Sequence, residues 1–228
     1  MNCTHIIFDL DNTLYAPTDA MDEGIRTRMI RAVADYFGTS YDAAVALRQK
    51  QLPYFSTTLE WLRSEGLPDP ERYFAQVHPA HEADELAFDP HLRPLLESIP
   101  LPKSILTNAP REHAERVLAK LNVSDLFTSI TDIRDCALQG KPYPAAYRLA
   151  LERAGCTIEH ALFLDDQYKY TAGWEALGGV AVLVGTQNGT PLHESALPSS
   201  TKKNTRGKTV RIDSVYEVPA LLKRSDDL

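Results

Sequence analysis

Two aspartates stand two residues apart at the end of the first apolar run, in Phe8-Asp9-Leu10-Asp11-Asn12-Thr13. In an extended chain residues i and i+2 point to the same side. Asp9 and Asp11 can therefore reach one reacting centre while Leu10 turns into a core. Held in different environments, one carboxylate can act as a nucleophile and the other as a proton donor. Asp-Asn-Thr after a strand is also ordinary turn chemistry, so the pair gains meaning only from polar residues further along the chain. Thr107-Asn108 closes a second apolar run, Lys141 sits in Gly140-Lys141-Pro142, and Asp165-Asp166 closes a third. Carboxylates converging from distant parts of a chain repel unless a cation or strong donors compensate. Mg²⁺ is the expected cation, because it prefers hard oxygen ligands and keeps waters beside one or two carboxylates.

The elements that must position these groups are short. His5-Ile6-Ile7-Phe8, Lys103-Ser104-Ile105-Leu106, His160 to Leu164 and Val180 to Val184 read as buried strands, with Phe127 to Ile133 a weaker one. Between them, Pro110 through Leu121 and Pro144 through Ala154 carry helical spacing, the second with Gly155 just past its end. Strands alternating with helices predict an α/β fold: a Rossmann-like parallel sheet with helices on both faces. In such sheets ligands bind outside the carboxyl ends of the strands, which is where the polar residues fall. Val210-Arg211-Ile212 reads as an edge strand, followed by a helix from Val215 to Leu222.

Residues 17–88 break that rhythm. Asp19 is placed to cap a helix running to Phe37 with Gly38 after it, and Ser40 to cap a second through Gln51. Thr57 to Glu65 and Pro70 to Val77 read as two more. This predicts an all-helical cap domain at 17–88, inserted into a core domain formed by 1–16 and 89–228. From Thr186 to Lys208 the chain is polar, and its basic cluster of Lys202, Lys203, Arg206 and Lys208 reads as a solvated loop.

Composition narrows the setting. The 228 residues carry 24 Lys and Arg against 31 Asp and Glu, a formal charge of −7. An acidic chain is a poor nonspecific ligand for nucleic acid, which needs Lys and Arg to displace counterions. No apolar run is long enough to span a membrane, and the first residues lack a secretory pattern. Cys3, Cys136 and Cys156 are odd in number and form no metal spacing. They read as reduced, buried thiols of a cytoplasmic protein.

Taken in order, Phe8-Asp9-Leu10-Asp11-Asn12-Thr13-Leu14-Tyr15, Leu106-Thr107-Asn108-Ala109, Gly140-Lys141-Pro142 and Phe163-Leu164-Asp165-Asp166 resemble the haloacid dehalogenase-like hydrolase superfamily in its phosphatase branch. The resemblance covers essentially the whole chain. The helical insertion between the first two motifs matches the helical-cap subgroup, and the wording is most similar to the pyrimidine 5′-nucleotidase family. The resemblance implies that Asp9 attacks phosphorus and becomes an aspartyl-phosphate. Asp11 then protonates the leaving alkoxide and activates water. Thr107 bonds the phosphoryl group, and Lys141 neutralises nucleophile and phosphate. Mg²⁺ is held by Asp9, the Asp11 backbone carbonyl and Asp166, with Asp165 binding directly or through water. Asn108 and Tyr15 are the candidate substrate contacts. The substrate is a small phosphorylated metabolite, a nucleoside monophosphate by this resemblance, with sugar phosphates as the alternative.

One position departs from the family pattern. Where members often carry D-D-S-x-x-N, this chain reads Asp165-Asp166-Gln167-Tyr168-Lys169-Tyr170. Tyr170 in place of asparagine is expected to alter the surroundings of the metal. Within and beside the cap, Tyr15, Tyr54, Phe55 and Trp61 are candidates for stacking on a base, and Arg48 and Lys50 for a second phosphate. His78, His81, His91 and His113 read as surface or cap histidines. Two other classes share parts of this pattern. A phosphorylatable receiver-like domain lacks the two-apart aspartates and the cap. A dehalogenase has no use for a general acid at Asp11 or for Mg²⁺. A silent phosphate binder would not need every catalytic position filled.

Overall fold

Short runs, most of them largely apolar, form the strands of a single sheet. In the computed structural model, which describes residues 3–16, 19–185 and 209–224, these are β1 (His5–Phe8), β2 (Lys103–Leu106), β3 (Ile130–Thr131), β4 (Ala161–Asp165), β5 (Val180–Val184) and β6 (Thr209–Ile212). Their order is β3-β2-β1-β4-β5-β6, and every pairing is parallel. All residues of β1, β2 and β4 are buried, so both faces of the sheet centre are covered. The third strand is only two residues long where seven are expected, because the chain turns away at once into the loop that carries Lys141. The edge strand at 209–212 lies where its apolar pattern predicts.

The described residues fall into two compact units, one of 3–16, 88–185 and 209–224, the other of 19–87. The second unit is helical: α1 (Asp19–Phe37), α2 (Tyr41–Gln51), α3 (Thr58–Ser64) and α4 (Pro70–Val77). Its helix starts are set by side chains. Ser40 accepts from the Ala43 N–H, Thr57 from Glu60, and Asp69 from Glu71 and Arg72, with Pro70 at the first helical position. Trp61 is 2 % exposed and stacks on Phe37 at 5.4 Å. It belongs to this unit's core, which removes it as a base-stacking group. The Arg48 guanidinium donates to Thr58 Oγ1 and Met29 Sδ, so it holds helices together. The expected Asp19 cap and the basic cluster at 202–208 lie outside the side chains and residues described.

The helices of the sheet unit are α5 (Leu92–Glu97), α6 (Arg111–Lys120), α7 (Pro144–Ala154), α8 (Tyr168–Ala176) and α9 (Val218–Arg224). Gly155 ends α7 in the left-handed conformation, φ 64°. Ile7, Phe163 and Ala181 of the sheet pack against Ala146, Tyr147 and Ala150 of α7 and Trp174 of α8. Phe163 stacks on Trp174 at 5.1 Å, and Tyr147 meets both rings edge-on. Burying an indole of this kind contributes about 4–5 kcal/mol. Cys136 is buried, Cys3 and Cys156 are half-buried rather than buried, and none forms a disulfide. Among the described residues no helix is long and apolar enough to cross a membrane.

Candidate active site

The strand order reverses between β1 and β4, and the polar cluster sits at the carboxyl ends of those two neighbours. The Asp9 N–H donates to the Leu164 carbonyl at 2.8 Å, which sets Asp9 beside Asp165. Asp9, Asp165 and Asp166 are all buried, and each offers a carboxylate oxygen within 4.8 Å of the others. The Lys141 ammonium, itself fully buried, donates to Asp9 Oδ1 and to Asp165 Oδ2, each at 2.6 Å. Three carboxylates thus face one cation in a dry place. Burial pushes the Asp9 carboxyl up to about 7 against the pull of Lys141. Burial and repulsion from Asp165 and Asp9 push Asp166 up to about 8. Asp165 is raised too, by burial opposed by Lys141. Burial disfavours the Lys141 charge, yet Asp165 and Asp9 hold its pKa above the ordinary lysine value.

Lys141 is delivered by a clamped loop. The Asn108 carboxamide accepts from the Lys141 N–H at 2.7 Å and donates to the Lys141 carbonyl at 2.9 Å. The Lys141–Pro142 peptide is cis. Gly140 permits the approach, since a Cβ there would collide with the Asn108 carboxamide and with Ile133 Cδ1. The lysine ammonium lies 5.1 Å from the Tyr170 ring centroid and 5.6 Å from that of Phe163, and the Tyr170 hydroxyl bonds the Asn108 side chain. Asn108, a candidate substrate contact, thus also holds the lysine loop. Tyr170, the residue that departs from the family pattern, packs its ring against the lysine that bonds Asp9 and Asp165.

Asp11 stands apart from the buried trio. After Leu10, which is fully buried, the chain turns through Asn12 in the left-handed region, φ 63°. Asp11 Oδ1 accepts from the Tyr15 hydroxyl at 2.6 Å and pairs with His113 Nε2 at 2.7 Å. Tyr15, a candidate substrate contact, is thus also a partner of Asp11, and the residue is buried. His113, read from sequence as a surface or cap residue, is fully buried in the first turn of α6. Its signal is positional: helix first turns that follow strands face the carboxyl edge of the sheet. Thr13 Oγ1 donates to Asp9 Oδ2 at 3.3 Å. Thr107 closes β2, and its Oγ1 accepts from the Ala109 N–H at 3.0 Å, which leaves the hydroxyl hydrogen available for donation.

An all-oxygen donor set with more buried negative than positive charge fits a hard divalent cation such as Mg²⁺. Asp9, Asp165 and Asp166 are the side chains that would hold it. The haloacid dehalogenase-like hydrolase family matches residues 3–172, well over half of the chain. The chain belongs to that family. Solved structures agree on the fold of this haloacid dehalogenase-like hydrolase. A haloacid dehalogenase-like family protein from Streptococcus pneumoniae superposes with a TM-score of 0.62 at 19% identity, covering 97% of this chain and 99% of the other. A HAD phosphatase from Thermococcus onnurineus gives 0.61 at 18% identity, covering 97% and 98%. L-2-haloacid dehalogenase from Xanthobacter autotrophicus gives 0.59 at 19% identity, again covering 97% and 98%. Phosphatases and dehalogenases thus share this hydrolase's fold, and its chemistry has to be argued from its own side chains.

Proposed function

We propose that the protein is a Mg²⁺-dependent phosphomonoesterase that works through an aspartyl-phosphate at Asp9. The observation carrying this reading is the pairing of Asp9, bound to buried Lys141, with Asp11, whose side chain keeps 29% of its exposure beside it. A nucleophile and a separate proton carrier are what ester cleavage requires. The Asp9 carboxylate attacks phosphorus, the ester P–O bond breaks, and the proton on Asp11 passes to the leaving alkoxide. Water then attacks the phosphoryl phosphorus and gives a proton to Asp11, and the Asp9–phosphorus bond breaks to release phosphate. Lys141 and the Thr107 hydroxyl offset charge that develops on the phosphoryl oxygens. A bound Mg²⁺ supplies further neutralisation of that charge. A halide-displacing enzyme would leave Asp11 without a proton to deliver, so the geometry favours the ester.

We place the substrate among small phosphorylated metabolites, and among these in the pyrimidine nucleoside 5′-monophosphates, on the resemblance of Phe8 to Tyr15, Leu106 to Ala109 and Phe163 to Asp166. Nucleic acid is not expected as a partner of this acidic chain. The unpaired cysteines suit a reducing, cytoplasmic setting. Phosphate release from a panel of nucleoside monophosphates and sugar phosphates, with Mg²⁺ and with EDTA, tests the reading. Mg²⁺-dependent release greatest from UMP or CMP is the expected result. Release from sugar phosphates alone would discard the nucleotide, and no release from any ester would discard the phosphatase.

A further inference from the structure

Both hydrogen bonds described at Asp11 fall on the same oxygen. The Tyr15 hydroxyl reaches Oδ1 from the turn after β1, four residues on, and His113 Nε2 reaches it from α6, across 102 residues of sequence. The turn is fixed by Asn12 in its left-handed conformation and by the Leu14 N–H on the Leu10 carbonyl at 3.0 Å. The imidazole is fully buried while Asp11 is not. The rigid partner therefore holds the exposed one. Against a carboxylate the histidine nitrogen and the tyrosine hydroxyl are both donors. Two donors at different angles on one oxygen fix rotation about the Asp11 side-chain torsions, which a single bond would leave loose.

We infer that Tyr15 and His113 are positioning residues for Asp11, holding its carboxyl group in place to deliver a proton to the leaving group. This rests on the phosphatase reading. It adds a consequence for substrates: the grip matters most where the departing oxygen is basic. An alkoxide leaving group needs the proton as the bond breaks, whereas a nitrophenolate departs largely without it.

The test compares kcat/KM, which reports the step in which the leaving group departs, on the alkyl phosphate that the wild type hydrolyses fastest with kcat/KM on p-nitrophenyl phosphate, at saturating Mg²⁺. Wild type, Tyr15→Phe, His113→Ala and His113→Gln are measured side by side. Loss of one hydrogen bond to a charged group is worth about 10-fold, so the alkyl-to-aryl ratio of kcat/KM should fall by about that factor in Tyr15→Phe and His113→Ala. His113→Gln, which restores an N–H near the position of Nε2, should recover most of the ratio. If His113→Ala does not fold, the near-isosteric Tyr15→Phe decides. An active Tyr15→Phe enzyme whose ratio stays at the wild-type value overturns the inference alone, whatever its absolute rate. A wild type that releases no phosphate from either ester overturns the phosphatase reading and the inference with it.

Discussion

Mg²⁺ binding should be strongly linked to protons. In the metal-free protein burial raises Asp9 to about 7 and Asp166 to about 8, so at pH 6 both carry a proton that a hard cation must displace. The slope of log affinity against pH equals the number of protons released. Between pH 6 and 8 a site at 7 contributes about 10-fold and one at 8 about 50-fold, together about a 500-fold tighter Mg²⁺ complex. The same shifts act on stability with a definite sign. Carboxylates whose folded values lie above the ordinary 3.8 hold protons that the unfolded chain has already lost, so stability falls as pH rises towards the folded values. From pH 6 to 8, without metal, the loss is about 4 kcal/mol at 1.36 kcal/mol per unit. Lys141, raised above the ordinary lysine value, keeps its contribution throughout this window. Titration calorimetry at the two pH values, in buffers of different ionisation enthalpy, measures both affinity and protons released. An affinity that changes less than about 3-fold with no proton release would show that Lys141 alone keeps all three carboxylates ionised.

Three substitutions test the rest of the site. Asp9→Asn should lower turnover by about 1,000-fold or more and raise the metal-free thermal midpoint at pH 8, since it removes one of three crowded charges; a lower midpoint would contradict this electrostatic picture. Lys141→Met leaves buried carboxylates unpaired and should cost about 3–5 kcal/mol in urea unfolding with EDTA present at pH 8; a loss below about 1 kcal/mol would mean the site takes up protons or water instead. Tyr170→Asn removes the ring under Lys141 and should lower kcat by about 10-fold with Mg²⁺ half-saturation nearly unchanged. A shift in half-saturation alone would show that Tyr170 acts on the metal rather than through Lys141.

The sheet is readable because a strand buried on both faces leaves a continuous apolar run, as Ile6 to Phe8, Ala161 to Leu164 and Val180 to Val184 do, whereas β2 shows it only at Ile105-Leu106 after Lys103 and Ser104. The helical unit is readable through its caps, Ser40 and Thr57 among them, which are local signals. The features that escape a sequence reading depend on long-range approach. The helix α8 hides because Gly173 lies within it and Trp174 carries much of its buried face. The glycine is needed there, since a Cβ would lie 2.8 Å from Pro142 Cβ and from the Tyr147 hydroxyl. Asn108 stands out in the sequence, but its role does not: its partner is a backbone segment 33 residues away, which no spacing rule reveals. His113 is inconspicuous because one histidine on a polar helix reads as surface. Only the fold shows that the first turn of α6 faces Asp11.

The lysine at the centre of the cluster lies 132 residues from Asp9 and 24 from Asp165, and β1 finds its neighbour β4 only after most of the chain has been made. Loop closure over such separations is slow and precedes any reward in contacts. A nascent chain that has not yet extruded β4 therefore holds Asp9 without Asp165 or Asp166, and has no buried triad to receive a cation. The helices of 19–87, built from local contacts, can form well before this. On refolding, helical signal should return ahead of hydrolysis, and Mg²⁺ should bind only chains that have closed the middle of the sheet. The cation would then act as a late selector, drawing the population towards complete molecules and leaving shorter products of synthesis without ligand or protection.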